Sequence, residues 1–117
     1  MTDLETLREC LFKKNGATEE YPFGPEAMVF KVMGKMFALV ARAETPLRIT
    51  LKCDPDLAIG LREVFKAVQP GYHMNKKHWN TVTLDGTVPD DEILRMINDS
   101  YDLVVKRLKK ADREKLQ

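Results

Sequence analysis

The chain has 117 residues, 44% of them hydrophobic and 32% charged, with a formal net charge of +1. That length and balance suit one domain over residues 1–117 with a core of its own, and exclude a disulfide-stapled miniprotein, a disordered tail and a multidomain enzyme. The two cysteines, Cys10 and Cys53, belong to no CxxC or Cys/His run; no apolar leader opens the chain, and no apolar stretch nears the length of a membrane span. The expectation is a reduced cytoplasmic protein, free of the membrane, with two half-buried structural thiols.

Thr2 and Glu5 read as a capping box for a first helix over about residues 3–14, with Leu4, Leu7, Leu11 and Phe12 at helical spacing and Asn15-Gly16 ending it. Pro22, Gly24 and Pro25 punctuate 19–27, leaving room for a short extended piece at most. Residues 28–42 read as a β-hairpin turning at Gly34. In 47–53, Leu47, Ile49 and Leu51 alternate with Arg48, Thr50 and Lys52, a half-buried strand with a cationic outer face.

Asp54-Pro55-Asp56 starts a second helix, its stripe Leu57, Leu61, Val64, Phe65 and Val68, stopped at Pro70-Gly71. After the polar 71–78 segment, 79–86 reads as a strand. Pro89 and Asp90-Asp91-Glu92 open a long final helix with the stripe Ile93, Ile97, Tyr101, Val104 and Leu108. The order α-β-β-β-α-β-α predicts an α+β fold: an antiparallel sheet packed by helices in two layers.

Charge is uneven along the chain. Residues 25–84 hold nine basic and five acidic groups, whereas the flanks are slightly acidic. The densest polar cluster, 71–80, holds both histidines, Lys76, Lys77, Tyr72 and the single tryptophan, Trp79. Lysines and a partly charged His73 or His78 suit phosphates, and Tyr72 and Trp79 offer stacking faces to a base. The bland alternative is a solvated turn beside a core tryptophan. His73 and His78 are spaced for neither a helix face nor a zinc site, so no metal is expected. Neither cysteine has a neighbouring base, and no glycine-rich loop can cradle a phosphate, so the chain is expected not to be an enzyme and to use no cofactor.

The run PGYHMNKKHWNTVTLDGTVPDDEILRMINDSYDLV resembles the MmcQ/YjbR family of small bacterial proteins. The matching positions are His73, Met74, Asn75, Lys76, His78, Trp79, Leu84, Asp85, Gly86, Ser100 and Tyr101; FKVMGKMFALV and LKCDPDLAIGLRE match upstream. The resemblance implies a CyaY-like (frataxin-like) α+β sandwich and DNA binding through a "double-wing" arrangement. It also brings iron handling as a rival, which helix 1 does not favour: its acids are only Asp3, Glu5 and Glu9, interrupted by Arg8.

The expected function is therefore non-enzymatic DNA binding by a monomer. Its nucleic-acid contacts would be Lys31, Lys35, Arg48, Lys52, His73, Asn75, Lys76, Lys77, His78 and Trp79, with Arg42 as a further cation. Lys31 joins the Arg48/Thr50/Lys52 set on one surface only if the sheet register allows it. The alternatives are a protein-interaction or regulatory module, in which Asn75 and His78 hold the loop, and a small-molecule site under the 72–79 loop.

Overall fold

A computed structural model describes residues 1–71 and 74–116. Helix α1 (Leu4–Phe12) is capped by Asp3, whose carboxylate accepts from the Thr6 amide at 3.0 Å and the Thr6 hydroxyl at 2.5 Å. The cap thus falls one residue beyond the expected Thr2, where a carboxylate also meets the positive end of the helix. Leu7 and Leu11 are buried, and Phe12 sets its ring edge-on to Phe30 at 5.2 Å.

Strand β1 (Ala17–Glu20) precedes the Pro/Gly punctuation and pairs with β2 (Ala27–Val32). It is a full edge strand where only a short extended piece was expected further on. Its Ala-Thr-Glu-Glu sequence carries no apolar alternation to announce it. β2 turns into β3 (Lys35–Ala41) through Met33 and Gly34, both with positive φ, the turn whose twist matches a hairpin. Phe30 faces Ala38 but Lys31 faces Met36, which leaves Phe37 as the extra residue of a bulge. Strand β4 (Arg48–Lys52) alternates as expected, with Leu47, Ile49 and Leu51 buried.

Asp54 caps α2 (Pro55–Val64), accepting from the amides of Asp56 and Leu57, with Pro55 in the first turn. The expected stripe of this helix is corrected. The helix ends at Val64, which is 72% exposed, and Leu57 is 45% exposed. Ala58 is the residue fully buried. Phe65 is already extended, and Val68–Pro70 forms strand β5, paired with β6 (Trp79–Thr83). Pairing with β6 satisfies backbone groups of this segment that a longer helix would have bonded internally.

Helix α3 (Asp90–Lys106) buries Ile93, Met96, Ile97, Ser100 and Val104. It stops at Arg107, and a separate short α4 (Lys110–Lys115) follows, so the expected single final helix is two.

The six strands form one antiparallel sheet in the order β1-β2-β3-β4-β6-β5. The fold is α+β with helices packed on the sheet, as the sequence predicts. The core joins Leu7 and Leu11 of α1 and Ile93, Met96 and Ile97 of α3 to Phe30, Val40, Ile49 and Val82 of the sheet. Among the described residues no helix is long and apolar enough to cross a membrane.

Candidate functional site

Side chains alternate along a strand, so the register decides which cations share a surface. Ile49 pairs with Val82, and both are core residues. Their neighbours Arg48, Thr50 and Lys52, paired with Thr83, Thr81 and Trp79, therefore point to the opposite face. Leu39 pairs with Thr50 and with Val29, and beyond the bulge Lys31 pairs with Met36. Lys31, Arg48, Lys52 and Trp79 thus lie on one face, away from the core helices.

Within that face the cations differ. Lys31 approaches Glu20 at 3.5 Å. The Lys52 ammonium sits 6.0 Å from the Trp79 ring, and burial, helped by nearby Arg107, lowers its pKa. Arg48 is exposed, and Lys35 is exposed at the hairpin end. Arg42 is committed elsewhere: its Nε donates to the Pro25 carbonyl at 2.5 Å, and its guanidinium lies 5.0 Å from the Tyr21 ring.

Beside this face, Lys76 and Lys77 are exposed, whereas His78 and Trp79 are half-buried. The Asn75 Oδ1 accepts from the Lys77 amide at 2.9 Å, turning the chain locally. The His78 amide donates to the Asn75 carbonyl at 3.2 Å, and the His78 carbonyl accepts from the Cys53 amide at 2.7 Å. Gly71 donates to the Trp79 carbonyl at 2.8 Å. His73 and Tyr72 lie outside the described residues.

Sequence reasoning missed the organiser of this segment, Arg62 of α2. Its Nε donates to Asn80 Oδ1 at 2.7 Å, and its terminal nitrogen donates to the carbonyls of Lys76 and Trp79. The Asn80 amide in turn donates to the Ala58 carbonyl at 3.4 Å. A legible signal existed: an asparagine inside a strand that is otherwise β-branched and aromatic must find partners when buried.

The alternative of a small-molecule site under the 72–79 loop meets a groove of about 420 Å³ on the helix-free face, which reaches that loop at Met74 and is otherwise lined by residues the sequence reading did not single out together. Phe23, Met36, Leu39 and Met74 give it apolar walls. Thr50 and Thr81, both buried, share a hydroxyl–hydroxyl hydrogen bond of 2.8 Å in its lining, which Glu44 and Arg48 complete.

The thiols occupy unlike places. Cys10 is half-buried, whereas Cys53 is buried, and burial pushes its pKa up to about 11. At neutral pH Cys53 is a neutral thiol, a poor nucleophile and a poor metal ligand. Among the described residues no three His, Cys, Asp or Glu side chains converge on one point.

A profile of the YjbR family matches residues 12–103. The Escherichia coli K12 protein YjbR is 37% identical over 116 residues, spanning 99% of this chain and 98% of its own. YyaQ of Bacillus subtilis is 33% identical over 115 residues, covering 82% of this chain and 96% of its own. The crystal structure of Deinococcus radiodurans protein DR2400, with the domain DUF419, superposes with a TM-score of 0.93 at 42% identity, over 99% of this chain and 88% of that one. A Pseudomonas syringae protein superposes at 0.75 and 31% identity, over 86% and 97%. Matched from the first helix to the last long one, in sequence and in three dimensions, the chain belongs to the YjbR family.

Proposed function

We propose that this protein is a non-enzymatic nucleic-acid-binding protein, acting as a cytoplasmic monomer through its helix-free sheet face and the adjoining 74–78 segment. The observation that carries the reading is the register. It supports a shared surface for Lys31, Arg48, Lys52 and Trp79, and the exposed Lys76 and Lys77 stand beside it. Such a surface would neutralise phosphates from several strands at once.

The residues behind the family resemblance divide into two kinds under this reading. Asn75 bonds within its own turn and shapes the loop. Lys76 and Lys77 are exposed and would supply charge. Trp79 is half-buried beside the Lys52 ammonium, so only part of its side chain is open to a base.

Fluorescence anisotropy with labelled single- and double-stranded DNA tests the proposal. The expected result is affinity that falls steeply with salt. In Lys76→Ala/Lys77→Ala the logarithmic salt slope should drop by about one unit per phosphate-contacting lysine. Absence of binding at low salt, or binding indifferent to salt, would remove the nucleic-acid reading. Light scattering on the same sample reads the oligomeric state, for which a single monomer mass is expected.

A further inference from the structure

The groove on the helix-free face has the properties of a small-molecule site. Its volume of about 420 Å³ falls in the ~300–1,000 Å³ range of such sites, which are typically apolar with a few placed polar groups. The apolar walls come from three separate segments: Phe23 after β1, Met36 and Leu39 on β3, and Met74 before β6. Phe23 is 72% exposed, a large aromatic left at the surface beside an apolar hollow. Methionine side chains in such walls adapt readily to different shapes.

The polar groups narrow the ligand class. Arg48 lines the groove and, among the described residues, has no carboxylate within ion-pair distance. Its guanidinium is thus a planar fork of donors open to an acidic group. Glu44 lines the same groove beyond ion-pair distance of Arg48. A carboxylate there repels a second negative charge on a ligand.

We infer that the groove binds a small, largely apolar organic monoanion. Its body lies among Phe23, Met36, Leu39 and Met74, and its acidic group meets Arg48. The site shares Arg48 with the proposed nucleic-acid surface but uses neither Lys76 nor Lys77, and it does not depend on phosphate contact.

A matched pair of probes tests the inference on the full chain. Anilinonaphthalene sulfonate carries the charge, and N-phenyl-1-naphthylamine has the same aromatic body without it. Nitrogen-15 NMR locates the binding and probe fluorescence measures it. The sulfonate is expected to saturate at one equivalent and to shift the amides of Leu39, Thr50 and Thr81. Arg48→Gln, at an exposed position, should weaken the sulfonate about tenfold while leaving the neutral amine within about twofold. Glu44→Gln should tighten the sulfonate, and Leu39→Trp, which fills the groove, should exclude both probes. Shifts spread over other surfaces, or sulfonate affinity unchanged in Arg48→Gln, would overturn the inference. If Arg48→Gln weakens DNA binding while neither probe enters the groove, the inference fails and the nucleic-acid reading survives.

Discussion

Ser100 shows how much one small side chain can hold. Fully buried on α3, its hydroxyl accepts from the Lys52 amide at 2.9 Å and donates to the Phe37 carbonyl at 2.6 Å. Both backbone groups need it: Phe37 is the unpaired residue of the β3 bulge, and Lys52 ends β4. Next to it, Tyr101 sets its ring edge-on to Phe37 at 5.3 Å and donates its hydroxyl to the Asn15 carbonyl. The Ser100-Tyr101 pair that helps carry the family resemblance is thus a fastening between helix and sheet. Ser100→Ala would remove the partner of a part-buried donor and of a buried acceptor. It is expected to cost about 1–3 kcal/mol, read as a lower urea midpoint with an unchanged slope. A midpoint equal to that of the parent would show that water satisfies both groups.

At the scale of elements, the segment between β5 and β6 is a clasp rather than a loose loop. Gly71 admits no side chain, since a Cβ there would lie 2.7 Å from the Trp79 Cβ. Gly71→Ala is therefore expected to destabilise by about 1–3 kcal/mol, as overpacking does, with thermal melting as the measurement. Arg62 closes the clasp from α2. Arg62→Ala should speed amide hydrogen exchange at Lys77 and His78 while leaving the β2–β3 hairpin protected; uniform exchange across both would refute the clasp. The same region shows where periodicity misleads. Leu57, Leu61, Val64, Phe65 and Val68 keep helical spacing, yet the last two lie beyond the helix and Val68 is buried as part of a strand. Val68 supports either reading until β6 is present to pair with it.

For the whole molecule, ionisation limits stability at both ends of the pH scale. Burial raises the Cys53 thiol from 9.0 to about 11 and raises the Tyr101 phenol as well. Folding favours the protonated form of each, so their contribution is full below the unfolded values and is lost as pH climbs through the folded ones. Glu19 runs the other way. The Arg8 hydrogen bond holds its carboxyl below the ordinary 4.5, so its contribution is lost as pH falls through that lowered value. Thermal melts should thus show a plateau near neutrality and a decline from about pH 9 to 11 that is shallower in Cys53→Ala. An identical alkaline slope in the variant would assign the decline to other groups. One cooperative transition across that plateau is the further expectation for a chain folding as a single unit.

Features that act within a few residues are legible in the order of the amino acids. The Asp54-Pro55 helix start, the Gly34 turn, the alternation of Leu47, Ile49 and Leu51, and the α3 stripe from Ile93 to Val104 are all found where the chain announces them. Capping, turn twist and side-chain period are local, so local patterns report them. The sequence also placed the basic segment, Lys76 and Lys77, at the surface. It takes the folded chain to bring Lys31 beside Arg48 and Lys52 on one face, to set Arg62 against Lys76 and Trp79, and to enclose a groove between Phe23, Leu39 and Met74. β2 and β3 read as apolar on both faces, with Met28 and Val40 turned one way and Val29 and Leu39 the other. Such runs say that both faces need cover and not what supplies it. That depends on strand register and on contacts between segments far apart in the chain, where a one-residue slip sends every side chain to the other side.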